Sequence, residues 1–262
     1  MPLFRALLVA CLVAFAPSVS RAADAPAIAA AATLKFALSE MADTFTRASG
    51  KEIKISFGSS GNLKHQIEQG APFELFLSAD EDYVFQLAAS GHAQDQGALY
   101  AVGRVVLFAP HDSALAVDAQ LSDLRAAVTD GRIKRFAIAN PEHAPYGRAA
   151  RAVLQHLGLW APIQARLVMG ENVAQAMLFA ASGSAQGGIV PLSLSTAPEV
   201  AKLGNFALIP AEWHADEPLR QRMALTRNAG PTTRAFYDFL QGPEGRAIFV
   251  RHGFTLPGEP AR

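Results

Sequence analysis

Two adjacent hydroxyls in Gly58-Ser59-Ser60-Gly61-Asn62 stand between a stretch that alternates like a strand and one spaced like a helix. Ile53, Ile55 and Phe57 supply the alternation; Leu63 and Ile67, stopped by Gly70, supply the helical spacing. Hydroxyls and backbone N–H groups at a helix N-terminus bind an anion without any cationic side chain. The same residues also suit an ordinary Ser/Asn helix cap, so this stretch alone leaves two readings open. Three more junctions of this kind follow strand-like runs: Thr33, Tyr146-Gly147 and Asn172-Val173. Arg148 is the one cation near any of them. In an open parallel sheet, ligands sit outside the carboxyl ends of the strands, where such junctions collect. The chemistry these residues favour is capture of a small, unprotonated oxyanion by neutral donors and helix dipoles. Two such pairs on two lobes would close over the ligand by a hinge.

Other chemistries find less support. A hydrolase would need Ser60 as nucleophile, His143 as base and Asp80 as orienter. However, Gly58-Ser59-Ser60-Gly61 does not fit the G-x-S-x-G elbow. The seven His residues are scattered with no H-E-x-x-H, so no metal ion is expected. The absence of a Walker A loop and of G-x-G-x-x-G removes the usual nucleotide cofactors. Asp80-Glu81-Asp82 reads as an acidic first turn that suits the helix dipole.

The elements that must position these residues alternate. Ala27–Ala32 reads as a buried strand, and Leu34, Ala37, Leu38, Met41, Ala42 and Phe45 as a helix ending at Gly50. Phe73 to Asp80 reads as a strand and Glu81 to Ser90 as a helix. A βαβαβα order argues for a parallel sheet with helices on its faces. Ala101 to Phe108 reads as one longer strand, with Ala109-Pro110 as the crossover between lobes. A helix near Leu121 to Ala127, a strand from Ile133 to Ala139 and a helix ending at Gly158 come next. Beyond them lie strands at 165–168, 187–190 and 206–209, a helix opening at Asn172-Val173, and a helical end from Thr232 to Phe249.

The chain has 262 residues, half of them hydrophobic, enough for one large α/β domain or two smaller ones. Lys+Arg and Asp+Glu both total 23, so bulk charge points to neither nucleic acid nor an anionic membrane. Arg5, the apolar run Ala6 to Phe15 and the small-residue site Ser20-Arg21-Ala22 read as a secretory signal peptide over 1–23, cut near Ala22 or Ala23. Leu8-Val9-Ala10-Cys11 resembles a lipoprotein box but leaves too short an apolar core. With Cys11 removed, the mature chain carries no cysteine, hence no disulfide and no thiolate site.

Ala30-Ala-Ala-Thr-Leu34, Ser56-Phe-Gly-Ser-Ser-Gly61, Gln66-Ile-Glu-Gln-Gly-Ala-Pro72 and Phe76-Leu-Ser-Ala-Asp80 together resemble the periplasmic molybdate-binding proteins of bacterial ABC importers. Pro141-Glu-His-Ala-Pro145, Glu171-Asn-Val173, Gly188-Ile-Val190 and Phe236-Tyr-Asp-Phe-Leu240 extend the likeness over nearly all the mature chain. The resemblance implies an α/β, two-lobed type II binding-protein fold. Each lobe would be a mostly parallel sheet flanked by helices, with a ligand cleft between the lobes. It implies lobes at 24–103 plus 213–262 and at 104–212. Molybdate, and tungstate with it, would be held by Thr33, Ser60, Tyr146 and Val173, with no catalytic residue, no cofactor and no free metal cation. It further implies a monomeric periplasmic receptor that serves a membrane permease. Two positions depart from the family pattern: Tyr146 stands where many members have a small amide donor, and Pro191 where many have a ligand Tyr. The phenol at 146 is then expected to replace the one lost at 191. A relative retuned to another oxyanion or a small carboxylate is the alternative.

Overall fold

The computed structural model describes residues 25–259, so the expected signal peptide lies outside the described residues. The chain builds two five-stranded sheets, each flanked by helices. The first sheet begins with β1 (Ala27–Ala31), β2 (Lys54–Gly58) and β3 (Phe73–Ser78), all parallel. Between them run α1 (Lys35–Ser49), α2 (Ser60–Glu68) and α3 (Glu81–Ala89). Leu38, Met41 and Phe45 put the apolar stripe of α1 into the core, and Gly50 ends the helix at φ 69°, where a side chain would be strained.

The expected long strand at 101–108 is two strands. β4 (Ala98–Val102) belongs to the first sheet and β5 (Val105–Pro110) to the second, so the chain crosses at Gly103-Arg104 and not at Ala109-Pro110. β5 is buried throughout and β4 at Tyr100 and Ala101, so the apolar run continues through the break and hides it. The second sheet adds β6 (Phe136–Ala139), β7 (Leu167–Gly170), β8 (Gly188–Pro191) and β9 (Gly204–Leu208), in the order β7-β6-β8-β5-β9. Its helices are α4 (Ser122–Thr129), α5 (Pro145–His156), α6 (Trp160–Ile163), α7 (Val173–Ala181), α8 (Leu192–Ser195) and α9 (Pro198–Ala201).

The chain then returns to the first sheet as β10 (Arg220–Leu225), a strand with no counterpart in the sequence reading. β10 lies between β3 and β4 and runs antiparallel to both, giving the order β2-β1-β3-β10-β4. Arg-Gln-Arg-Met-Ala-Leu lacks apolar alternation because Arg220 and Arg222 leave the core to pair with Glu81 of α3. The sheets are therefore mixed: each couples three parallel strands to two others through antiparallel pairings. The helical end is also two pieces, α10 (Pro231–Gln241) and α11 (Pro243–Arg251), broken at Gly242-Pro243. Phe236 stands edge-on to Phe45 at 5.1 Å and docks α10 against α1.

The chain crosses between the sheets at Gly103-Arg104 and again between Leu208 and Arg220, and these two crossings lie together. Gly103 donates its N–H to the carbonyl of Leu219 at 3.0 Å. Leu219 takes φ 51°, a left-handed conformation that a branched side chain adopts only at a cost of about 1–3 kcal/mol. Among the described residues no helix is long and apolar enough to cross a membrane.

Candidate functional site

The four residues expected at the site line one cavity, together with Ala31, Ala32, Gly58, Ser59, Ala79, Ala144 and Pro145. Each comes from a helix start. Thr33 lies in the 3-10 turn Ala32–Leu34 that opens α1, Ser60 is the first residue of α2, Tyr146 the second of α5, and Val173 the first of α7. The first backbone N–H groups of a helix have no acceptor inside it. Here the caps settle which of them stay available. Asn172 Oδ1 takes the amides of Ala174 and Gln175 at 3.0 and 3.2 Å, passing over Val173. Ser59 Oγ takes Asn62 N–H at 3.4 Å, and the His143 carbonyl takes Gly61 N–H at 3.0 Å, passing over Ser60. Four positive helix ends thus converge on one point.

The hydroxyls are similarly arranged. Ser60 Oγ accepts the Ala79 N–H at 2.9 Å, so its proton is directed to a further acceptor. Thr33 Oγ1 lies 2.9 Å from Ser193 Oγ of α8, which donates to the Thr33 carbonyl at 2.9 Å. Tyr146 Oη accepts from Gln221 Nε2 at 2.9 Å. Burial drives the Tyr146 phenol far above its usual pKa against the opposing pull of Thr33 and Gln221, so it remains protonated. Its expected turn toward an anion in place of the Tyr missing at 191 has a competitor: the phenol already accepts from Gln221 of β10. Pro191 ends β8, opposite Val105, and is not part of the cavity wall.

No charged side chain lines the cavity. Arg148, the nearby cation, is neutralised locally: it pairs with Asp80, donates to Glu217 at 2.8 Å and to Tyr83 Oη at 3.0 Å. The hydrolase triad is not assembled, since Asp80 holds Arg148 and His143 Nδ1 lies 2.9 Å from Ser59 Oγ rather than meeting Ser60. Among the described residues no three His, Cys, Asp or Glu side chains group as metal ligands.

The cavity measures about 10 Å³, roughly the room for one water. A four-oxygen anion needs more room than this. His143 of the second lobe meets Gly61 of the first so closely that a Cβ on Gly61 would stand 2.8 Å from the His143 carbonyl oxygen. Gly61→Ala is therefore expected to hold the lobes apart and weaken ligand affinity about tenfold, with little change in the unfolding temperature of the ligand-free protein. Titration of both proteins with the same anion checks this, and equal affinities would refute it.

Sequence reasoning missed Ser193, Gln221 and Tyr100. Ser193 carries a weak signal, a hydroxyl just past a buried strand end. Gln221 and Tyr100 carry none, because their partners are distant in the chain.

Over residues 27–255 the chain matches the family described as bacterial extracellular solute-binding protein. It is 34% identical over 232 residues to the molybdate-binding protein ModA of Azotobacter vinelandii, covering 87% of this chain and 89% of that one. To ModA of Rhodobacter capsulatus it is 34% identical over 219 residues, 82% of each chain. The solved structure of the Azotobacter vinelandii periplasmic molybdate-binding protein superposes with a TM-score of 0.80 at 32% identity, over 88% of this chain and 99% of that one. With this likeness in sequence and fold over most of its length, the chain belongs to the bacterial extracellular solute-binding proteins, among the molybdate-binding members of that family.

Proposed function

We propose that this protein captures molybdate between its lobes and delivers it to the membrane permease of an ABC importer. In this reading it is an exported, periplasmic, monomeric receptor that performs no catalysis and needs no cofactor. The lobes would run over 24–103 with 213–262, and over 104–212, a division supported by the two sheet-to-sheet crossings. Thr33 and Ser60 would donate their hydroxyl protons, and Tyr146 and Val173 their backbone amides.

The observation that carries the reading is a cavity walled by four helix starts, the hydroxyl residues Thr33, Ser59, Ser60 and Tyr146, and no charged side chain. Such a wall offers neutral donors and no carboxylate. A fully ionised oxyanion uses those donors, whereas a protonated one brings a hydrogen that meets no carboxylate. Tungstate has the charge and shape of molybdate and is expected to bind as well. Sulfate is smaller, and each donor it fails to reach costs about 1–3 kcal/mol.

Thermal unfolding of the mature protein with molybdate, tungstate, sulfate, phosphate and citrate in parallel tests the proposal. Molybdate and tungstate are expected to stabilise by about 2.7 kcal/mol at a hundredfold excess over Kd. A shift with sulfate, phosphate or citrate in their place would reassign the cargo. No shift with any of the five would overturn the receptor reading.

A further inference from the structure

Arg148 lies outside the oxyanion cavity, yet its side chain fastens two of the cavity's walls together. It sits in the first turn of α5, the helix that packs on β6 and β8 of the second sheet. Its guanidinium reaches three groups on other elements. It pairs with Asp80, which lies just past the end of β3 in the first sheet and caps α3. Nη1 donates to Tyr83 Oη of α3 at 3.0 Å, and the guanidinium carbon stands 5.5 Å from the centre of that ring. Nε donates to Glu217 at 2.8 Å, on the connection that returns from β9 to β10. The Arg148 and Asp80 side chains are only 19% and 20% exposed, so solvent and salt screen this pair less than a surface one.

Both ends of the link continue into the oxyanion cavity. Asp80 follows Ala79, whose N–H donates to Ser60 Oγ at 2.9 Å. Arg148 shares its helical turn with Pro145 and Tyr146, and Ala79, Ser60, Pro145 and Tyr146 all line the oxyanion cavity. Ala79 and Pro145 also line the neighbouring cavity of about 340 Å³ that holds Arg148 and Asp80. The ion pair and the anion site therefore share walls.

The charge of Arg148 does not explain this placement. Five carboxylates line the neighbouring cavity against two cations, Arg148 and Arg220. The cluster as a whole is negative and does not draw an anion in. What it supplies is a connection between the sheets.

We propose, on the oxyanion reading above, that Arg148 is a positioning residue for the cavity: its pairing with Asp80 sets the start of α5 against the end of β3 and holds the donors of Tyr146 and Ser60 in place around the anion. Arg148 touches no ligand and acts through the backbone it fastens. Asp80 and Tyr83 belong to the first sheet's elements and Arg148 to the second's, so parting the lobes breaks their bonds. The pair thus favours the closed arrangement, and apparent affinity falls with the fraction of molecules that are closed.

Asp80→Asn is the discriminating substitution. Asn removes the charge but keeps the oxygen that caps α3 by accepting the Asp82 N–H at 3.0 Å. It is expected to raise the molybdate Kd about tenfold by calorimetric titration, mainly through faster dissociation in stopped flow, with little change in the ligand-free unfolding temperature. Arg148→Met is expected to raise Kd at least as much. Adding Asp80→Asn to Arg148→Met is expected to change Kd by less than about twofold, because the pair is already broken. An Arg148 that acted by its charge alone would give the opposite sign, since Asp80→Asn removes a negative charge near the anion and would tighten binding. Tighter or unchanged binding in Asp80→Asn, or losses that add in the double variant, overturn this inference alone. So does a fall in the ligand-free unfolding temperature with Kd and dissociation rate unchanged, the mark of a purely structural pair. A parent protein that binds neither molybdate nor tungstate overturns the oxyanion reading and this inference with it.

Discussion

Ser60→Ala is expected to weaken molybdate binding roughly a hundredfold, equivalent to about 3 kcal/mol. Two losses combine. The anion loses a neutral hydroxyl donor aimed at its charge, and the Ala79 N–H loses the oxygen that accepts it at 2.9 Å. Ser60 is 1% exposed, so water does not easily replace either partner. The helix itself should survive, because its cap is Ser59, which keeps its bond from Asn62. The expected signature is therefore a large rise in Kd with a small drop in the unfolding temperature of the ligand-free protein. Calorimetric titration and thermal unfolding of the same sample separate the two effects. An unchanged Kd would remove Ser60 from the site.

Gly147→Ala is expected to damage both fold and site. A Cβ there would overlap the carbonyl oxygen of Ala139 and stand 2.8 Å from the carbonyl carbon of Asn140. Both are backbone atoms at the end of β6, so no side-chain rotation relieves the clash, and α5 must slide away from the sheet. Overpacking of this kind costs about 3 kcal/mol. In a chain of this size that lowers the unfolding temperature by roughly 6–12 °C. α5 carries Tyr146 into the cavity wall, so the displaced helix should also lose most of the molybdate-induced stabilisation. A variant that unfolds at the parent temperature and keeps the full ligand shift would show that the junction tolerates a methyl group.

Much of this architecture is visible locally. Helix caps join residues two or three apart, so Ser59, Asp80 and Asn172 announce α2, α3 and α7 in the order of residues alone. Of the strands before them β3 is apolar because it is buried, β2 at the sheet edge shows only alternation, and Gly50 and Gly158 mark helix ends by their left-handed backbone. From those signals come the alternating α/β order and the four junctions where donors collect. The motif runs around Thr33, Ser60 and Val173 carry the family.

What stayed hidden was everything decided by partners far apart in the chain. β10 looks polar until Glu81, some 140 residues earlier, takes its arginines. The break at Gly103 is invisible because burial, not turn chemistry, surrounds it. The contacts of Thr33 with Ser193, and of Gln221 with Tyr146 and Tyr100, join residues of different elements that lie far apart in the chain. The sequence by itself determined the lobes' elements and the neutral, amide-lined character of the site, because helix starts and strand ends are local events. Only the tertiary structure decided how its hydroxyls are oriented and how the hinge reaches it, because a buried polar atom takes whichever partner packing brings within hydrogen-bond distance.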